Sequence, residues 1–199
     1  MRAFIAVIVL IFSLQSWTKA EDISDFEIEG MSIGDSLLDY FDINTIENSR
    51  KYEYKNDKFY SVDIWDDKFK LFQALQFHLK KNDKKYIIHG LSGALTFGEE
   101  GVYYPNSEKE CKKQKQIIEK DISGIFSNAE KYSEYAVGQG DYDPKVIRQD
   151  TYYLLNTGEV WIQCVTWGKK AKKKHNIMDN LRLTIVTPEF EKWMTTEAY

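Results

Sequence analysis

Cysteine, histidine and proline are scarce in this 199-residue chain, with two, three and three copies. Two cysteines cannot build a zinc ribbon or a disulfide-dense toxin scaffold. Three histidines supply little for a metal centre, and no second His or Cys stands at ligand spacing from His78. Arginine is rare, 4 against 23 lysines, so the planar fork that grips phosphate with two parallel hydrogen bonds is poorly supplied. Positive charge is short overall. Lys+Arg is 27 and Asp+Glu 31, a net charge of −4, where a nucleic-acid binder is normally basic. No nucleic-acid partner and no cofactor are expected. No apolar run after Leu14 is long enough to cross a bilayer as a helix.

What is present starts with residues 1–20, which read as a secretory signal peptide. Arg2 supplies the positive start, Ala3 to Leu14 the apolar stretch, and Thr18-Lys19-Ala20 a small-x-small cleavage site. Cleavage after Ala20 would remove Arg2 and Lys19, taking the net charge from −4 to −6. A periplasmic or secreted, soluble mature protein is expected. In an oxidising compartment Cys111 and Cys164 are expected to form one disulfide. A catalytic thiol is the alternative, but it would need a close imidazole, and His175 stands in a lysine-rich stretch beyond Cys164.

Periodicity divides the remainder into two units, 21–103 and 104–199, each a helix followed by antiparallel strands. Ser32 to Phe41 reads as a short helix, with Leu37, Leu38 and Phe41 at helical spacing. Phe59 to Trp65 reads as a strand. Phe72 to Lys80 alternates, with Leu75, Phe77 and Leu79 on one face and Phe72, Ala74, Gln76 and His78 on the other. Lys85 to His89 and Ala94 to Phe97 continue as strand around a bend at Gly90 and Gly93.

Ser107-Glu108-Lys109-Glu110 fits a capping box that opens a helix ending near Phe126, with Cys111, Ile118, Ile122 and Ile125 on one stripe. Ala129 to Pro144 reads as a loop. Val146 to Leu155 and Glu159 to Trp167 form a hairpin across Asn156-Thr157-Gly158, with Val160, Ile162 and Cys164 on one face. Gly168 to Asn180 reads as a polar loop, Leu181 to Thr187 as a strand, and Thr187-Pro188 opens a short closing helix. The expected class is α+β, short helices packed on antiparallel β-meanders in two similar halves.

Gly34-Asp35-Ser36-Leu37 spells the signature of the GDSL esterases and resembles that family locally, which would make Ser36 a nucleophile. A serine nucleophile needs a base within hydrogen-bond reach. The family's Asp-x-x-His pair has no counterpart, since Leu75, Tyr86 and Lys172 stand three before His78, His89 and His175. Helix capping is the competing role for Asp35 or Ser36. Gly90-Leu91-Ser92-Gly93 lacks the last glycine of a nucleophile elbow. Asp141-Tyr142-Asp143 opens like a calcium loop, but Lys145 stands at the third acidic position. The run Lys169, Lys170, Lys172, Lys173 and Lys174 reads as a solvated hairpin tip or as a weak contact for an anionic membrane surface.

Three stretches carry a wider resemblance. They are Asp25 to Leu38, Ala74-Leu75-Gln76-Phe77 with Tyr86-Ile87-Ile88, and the late cysteine pair. Together they resemble small secreted proteins of unknown function from AT-rich marine alphaproteobacteria, a likeness that implies export and no activity. Glu29 to Leu38 is also similar to the helix opening of small outer-membrane assembly lipoproteins, which place antiparallel strands after short helices. The expected function is a non-enzymatic, exported binding protein with an envelope protein or ligand as partner. The alternative is a small secreted GDSL-like serine esterase using Ser36.

Overall fold

A computed structural model describes residues 22–51, 54–99, 106–138 and 146–199. The export segment, Asp141 to Asp143 and the boundary at 103/104 lie outside them. Two 3-10 turns, Ile23–Asp25 and Leu37–Asp39, lead to α1 (Ile43–Asn48). A meander follows: β1 (Arg50–Lys51), β2 (Phe59–Trp65), β3 (Ala74–Lys80) and β4 (Ile88–Phe97). The second half runs α2 (Ser107–Ile125), β5 (Glu130–Val137), β6 (Ile147–Leu155), β7 (Gly158–Thr166), α3 (Lys169–His175), β8 (Asp179–Val186) and α4 (Pro188–Thr196). All eight strands form one antiparallel sheet in the order β1-β2-β3-β4-β8-β7-β6-β5. The α+β class is as expected, and the two meanders join where their last strands, β4 and β8, pair.

The sheet has one dry face. Val62, Leu75, Phe77, Leu91, Ile185, Val160 and Ile162 project there and are all buried. Two layers cover it. The segment from Ile23 to Ile46 contributes Ile28, Met31 and Leu37, and α2 contributes Cys111 and Ile122. Gly93 is required in this layer. A Cβ there would stand 2.5 Å from the Phe72 ring, so Phe72 packs onto the dry face rather than beside Ala74 as its alternation suggested.

Several local expectations are corrected. Ser32 to Phe41 is not an α-helix. It is a series of turns pinned by Gly34 at φ +94°, by Asp35 accepting from the Ser32 amide, and by backbone bonds to Tyr86 and Ile88; the helix comes later, capped by Asp42. β4 continues through Gly90 and Gly93, which make room for the His78 and Phe72 rings; the expected irregularity is confined to a β-bulge at His89, beside Gly90, where the register against β3 shifts. Ala129 to Pro144 contains strand β5, and the lysine run is helix α3 rather than a loop. Ser107 is the first helical residue and not a cap, because its hydroxyl donates to Asp179.

Asp179, fully buried at the start of β8, ties three segments together. It accepts from Ser107 on α2, from Lys172 Nζ on α3 at 2.6 Å, and from the Trp167 amide at 2.7 Å. One strand away, Cys111 on α2 and Cys164 on β7 form a disulfide pair with Cα atoms 6.0 Å apart. The helix stripe and the strand face that the sequence assigned to these thiols are the surfaces that meet.

Removing one partner strands the other as an uncompensated buried charge. Lys172→Met should therefore lower the unfolding free energy in urea by roughly 3–5 kcal/mol. A loss no larger than that of an exposed lysine would show that the pair is not buried in solution. For the disulfide, unreduced protein should take up no alkylating reagent by mass spectrometry. Cys111→Ala, Cys164→Ala and the double variant should cost similar amounts, up to ~4 kcal/mol for a loop of this separation.

Candidate functional site

The opposite face of the sheet is built differently. At one end α4 lies across it. Phe190 and Trp193 pack on Phe59 and Val186, and the His78 ring stacks on Phe190 with centroids 4.4 Å apart. Burial, and next the Arg182 charge, hold the His78 imidazole down to about 3, so it is a neutral packing group. Thr187 caps this helix by accepting from the Phe190 amide at 3.2 Å, with Pro188 at the first turn, as the sequence suggested.

Beyond α4 the face is half-exposed, and the strand register lays its side chains in two rows. One row reads Asp63, Gln76, Ser92, Thr184, Trp161, Tyr152 and Tyr132 across β2, β3, β4, β8, β7, β6 and β5. Within it the Gln76 amide donates to Asp63 at 2.9 Å, Ser92 and Thr184 share a hydrogen bond of 2.9 Å, and Tyr132 stacks on Tyr152 at 4.7 Å. The neighbouring row reads Trp65, Ala74, Ala94, Arg182, Gln163, Asp150 and Glu134. Arg182 reaches across to donate to the Gln76 carbonyl at 3.3 Å.

Small residues on the central strands make a trough here. Ala74, Ser92 and Ala94 form its floor, and Trp65, Trp167, Met178 and Arg182 its walls, enclosing about 340 Å³. Trp65 is 62% exposed, an unusual position for an indole. On the same face Asp150 is only 3% exposed. Its Oδ2 accepts from Arg148 at 2.6 Å, while Oδ1 has no partner among the described residues. A larger depression of about 410 Å³ lies near β1 between Arg50, Tyr60 and Tyr86. Its polar groups already serve one another: Arg50 pairs with Glu47 at 3.0 Å and Tyr86 donates to Glu47 at 2.9 Å. We therefore take the open sheet face as the site.

The residues singled out by sequence are dispersed. Ser36 caps the 3-10 turn by accepting from the Leu38 amide at 3.3 Å and donates to the Lys85 carbonyl at 2.7 Å, with no imidazole among its partners. Cys111 and Cys164 are a structural pair beneath α2. Of the five lysines, Lys169, Lys170, Lys173 and Lys174 are exposed on α3, whereas Lys172 is buried against Asp179 and is not a surface contact. The aromatic and amide residues of the open face are the ones sequence reasoning missed as a site. Their alternation was visible, but which face would be left uncovered was not.

No protein-family model matches the chain, and neither a curated protein nor a solved structure shows significant similarity to it.

Glu159 borders the open face beside α4. Burial first, and next the charge of Glu191, push its carboxyl up to about 7. Below the ordinary value of 4.5 the group is protonated in the folded and the unfolded chain alike. Between 4.5 and about 7 the folded chain keeps a proton that the unfolded chain has released, so stability falls as pH rises through that window. Glu159→Gln removes the effect. Its gain over the parent protein in urea midpoint should be larger at pH 8 than at pH 5, and an equal gain at both would refute the assignment.

Proposed function

We propose that this is a non-enzymatic, exported binding protein that takes its partner, an envelope protein or ligand, on the open face of the sheet. The observation that carries the reading is the asymmetry between the two faces. On one side β2, β3, β4, β8 and β7 carry a buried apolar layer, and on the other the same strands leave a trough walled by Trp65, Trp167 and Arg182. Tryptophan, tyrosine and arginine in a partly enclosed surface are the residue types that concentrate binding energy. Export is supported by the Cys111–Cys164 pair, since disulfides persist in oxidising compartments, and no helix among the described residues is long and apolar enough to cross a membrane.

The test is retention of envelope components on immobilised protein, with identities read by mass spectrometry. Trp65→Ser combined with Arg182→Ala and Gln163→Ala should weaken capture of the retained component by about tenfold or more. Lys109→Ala with Lys113→Ala, on the outer side of α2, should leave it unchanged. Equal capture by both variants would reject the open face as the site. A fluorophosphonate probe should leave the protein unlabelled. Labelling that disappears in Ser36→Ala would replace this reading with the esterase.

A further inference from the structure

The two edges of the sheet differ. β1 has two described residues, Arg50–Lys51, whereas β5 is a full strand of eight residues paired with β6 without a bulge. The Gly138 amide donates to the Val146 carbonyl, so the even-numbered residues of β5 direct their backbone groups toward β6. In an antiparallel ladder the alternate residues face the other way. The N–H and C=O groups of Lys131, Ser133, Tyr135 and Val137 thus point outward, with no backbone partner among the described residues. Tyr132, Tyr135 and Val137 are exposed by 41%, 63% and 53%, which places three large apolar side chains on one short edge. Proteins blunt such an edge with proline, a bulge, brevity or charge; β5 has no proline, bulge or shortness, and its charges are Glu130, Lys131 and Glu134.

We propose that β5 is a self-association edge, pairing antiparallel with β5 of a second copy of this chain to join the two sheets into one. The strand's own charges select the register. A two-fold axis normal to the sheet keeps each face on its own side, so odd residues must meet odd residues and even meet even. Two registers then use nearly the whole strand, one centred on Glu134 and one on Ser133. The Glu134-centred register sets Glu134 against its own copy, with Asp150 next along each row, and like charges directly opposite are destabilising. A shorter register centred on Tyr132 sets Glu130 against Glu134. A register centred on Tyr135 avoids that clash but pairs only residues 133–137, whereas the Ser133-centred register uses nearly the whole strand and opposes no two acids. Glu134 meets Tyr132, Glu130 meets Ala136, Lys131 meets Tyr135, and Glu134 lies only diagonal to its copy, roughly 7–8 Å away. In that register the outward backbone groups of 131, 133 and 135 all find partners. Self-complementarity of this kind favours a second copy over a strand of unrelated sequence.

Sedimentation equilibrium of the purified protein should show a reversible monomer–dimer equilibrium. Tyr135→Pro removes an outward N–H and should weaken the dimer by about tenfold or more. An unchanged near-ultraviolet circular dichroism spectrum would show that the variant is folded. Ser133→Cys provides an arm that leaves the strand's shape alone. Opposed Cα atoms lie within disulfide range, so mild oxidation should cross-link Ser133→Cys into dimers and leave Glu134→Cys and Tyr132→Cys largely monomeric. The proposal is overturned by a monomer at all concentrations, by a dimer indifferent to Tyr135→Pro, by cross-linking that is strongest at Glu134→Cys, or by a β5 edge found paired with a strand of a different protein.

Discussion

The pairing of β4 with β8 is the contact on which the rest of the molecule depends. Each meander alone is a four-stranded ribbon with one apolar face. Only where their last strands run side by side do the two apolar faces become one surface wide enough for α2 to lie on. The seam is anchored on both sides of the sheet. Leu91 and Leu95 sit opposite Ile185 and Leu181 on the dry side, and Ser92 bonds Thr184 on the other. At its end Asp179, opposite Phe97, collects Ser107, Lys172 and the Trp167 amide, so both flanking helices are held to the strand that closes the seam. The disulfide from α2 reaches the next strand over.

Coverage of the sheet is unequal because of simple dimensions. Eight strands about 4.8 Å apart span roughly 34 Å. On one side the segment from Ile23 to Ile46 and the long α2 share that width. On the other side α4 is the one cover among the described residues, and its nine residues extend about 13 Å. It seals Phe59, His78 and Val186 and ends against Trp161. What remains is lined by residues that tolerate water, Gln76, Gln163, Arg182, Tyr132 and Trp65, held in rows by cross-strand contacts. An uncovered face with its polar groups already oriented loses little freedom when a partner arrives.

Charge is placed with the same economy. Two lysines are drawn inside, each with an acid waiting: Lys172 with Asp179, and Lys115 with Glu119 and Thr151 beneath α2. Burial works against the Glu119 carboxylate, yet the hydrogen bonds from Lys115 and Thr151 outweigh it and hold its pKa below the ordinary value. Such pairs do little for net stability compared with apolar packing, but they penalise any arrangement that separates the partners. Here they fix where α2 and α3 sit. Glu159 and Glu191 are the contrary case, two acids brought together at the border of the open face, with no cation among the described residues relieving Glu159.

Local periodicity was enough to determine the dry face, the β6–β7 hairpin, the long helix with its cysteine and the capped closing helix, because in each the residues that touch are near neighbours or lie on one alternating stripe. It failed where a distant group decides the conformation. β5 mixes tyrosine and charge on both faces, as an edge strand wet on both sides can, and carries no apolar stripe to reveal it. The lysine run looked like solvent-exposed chain until Asp179 stood opposite Lys172, since a buried cation is unreadable without its partner. Gly93 looked like a bend and is instead vacated space for Phe72, and Gly90 follows a β-bulge and also leaves room for His78. The open face belongs to the same category. Alternation states that a strand has two sides, and only the short reach of α4 decides which side stays bare.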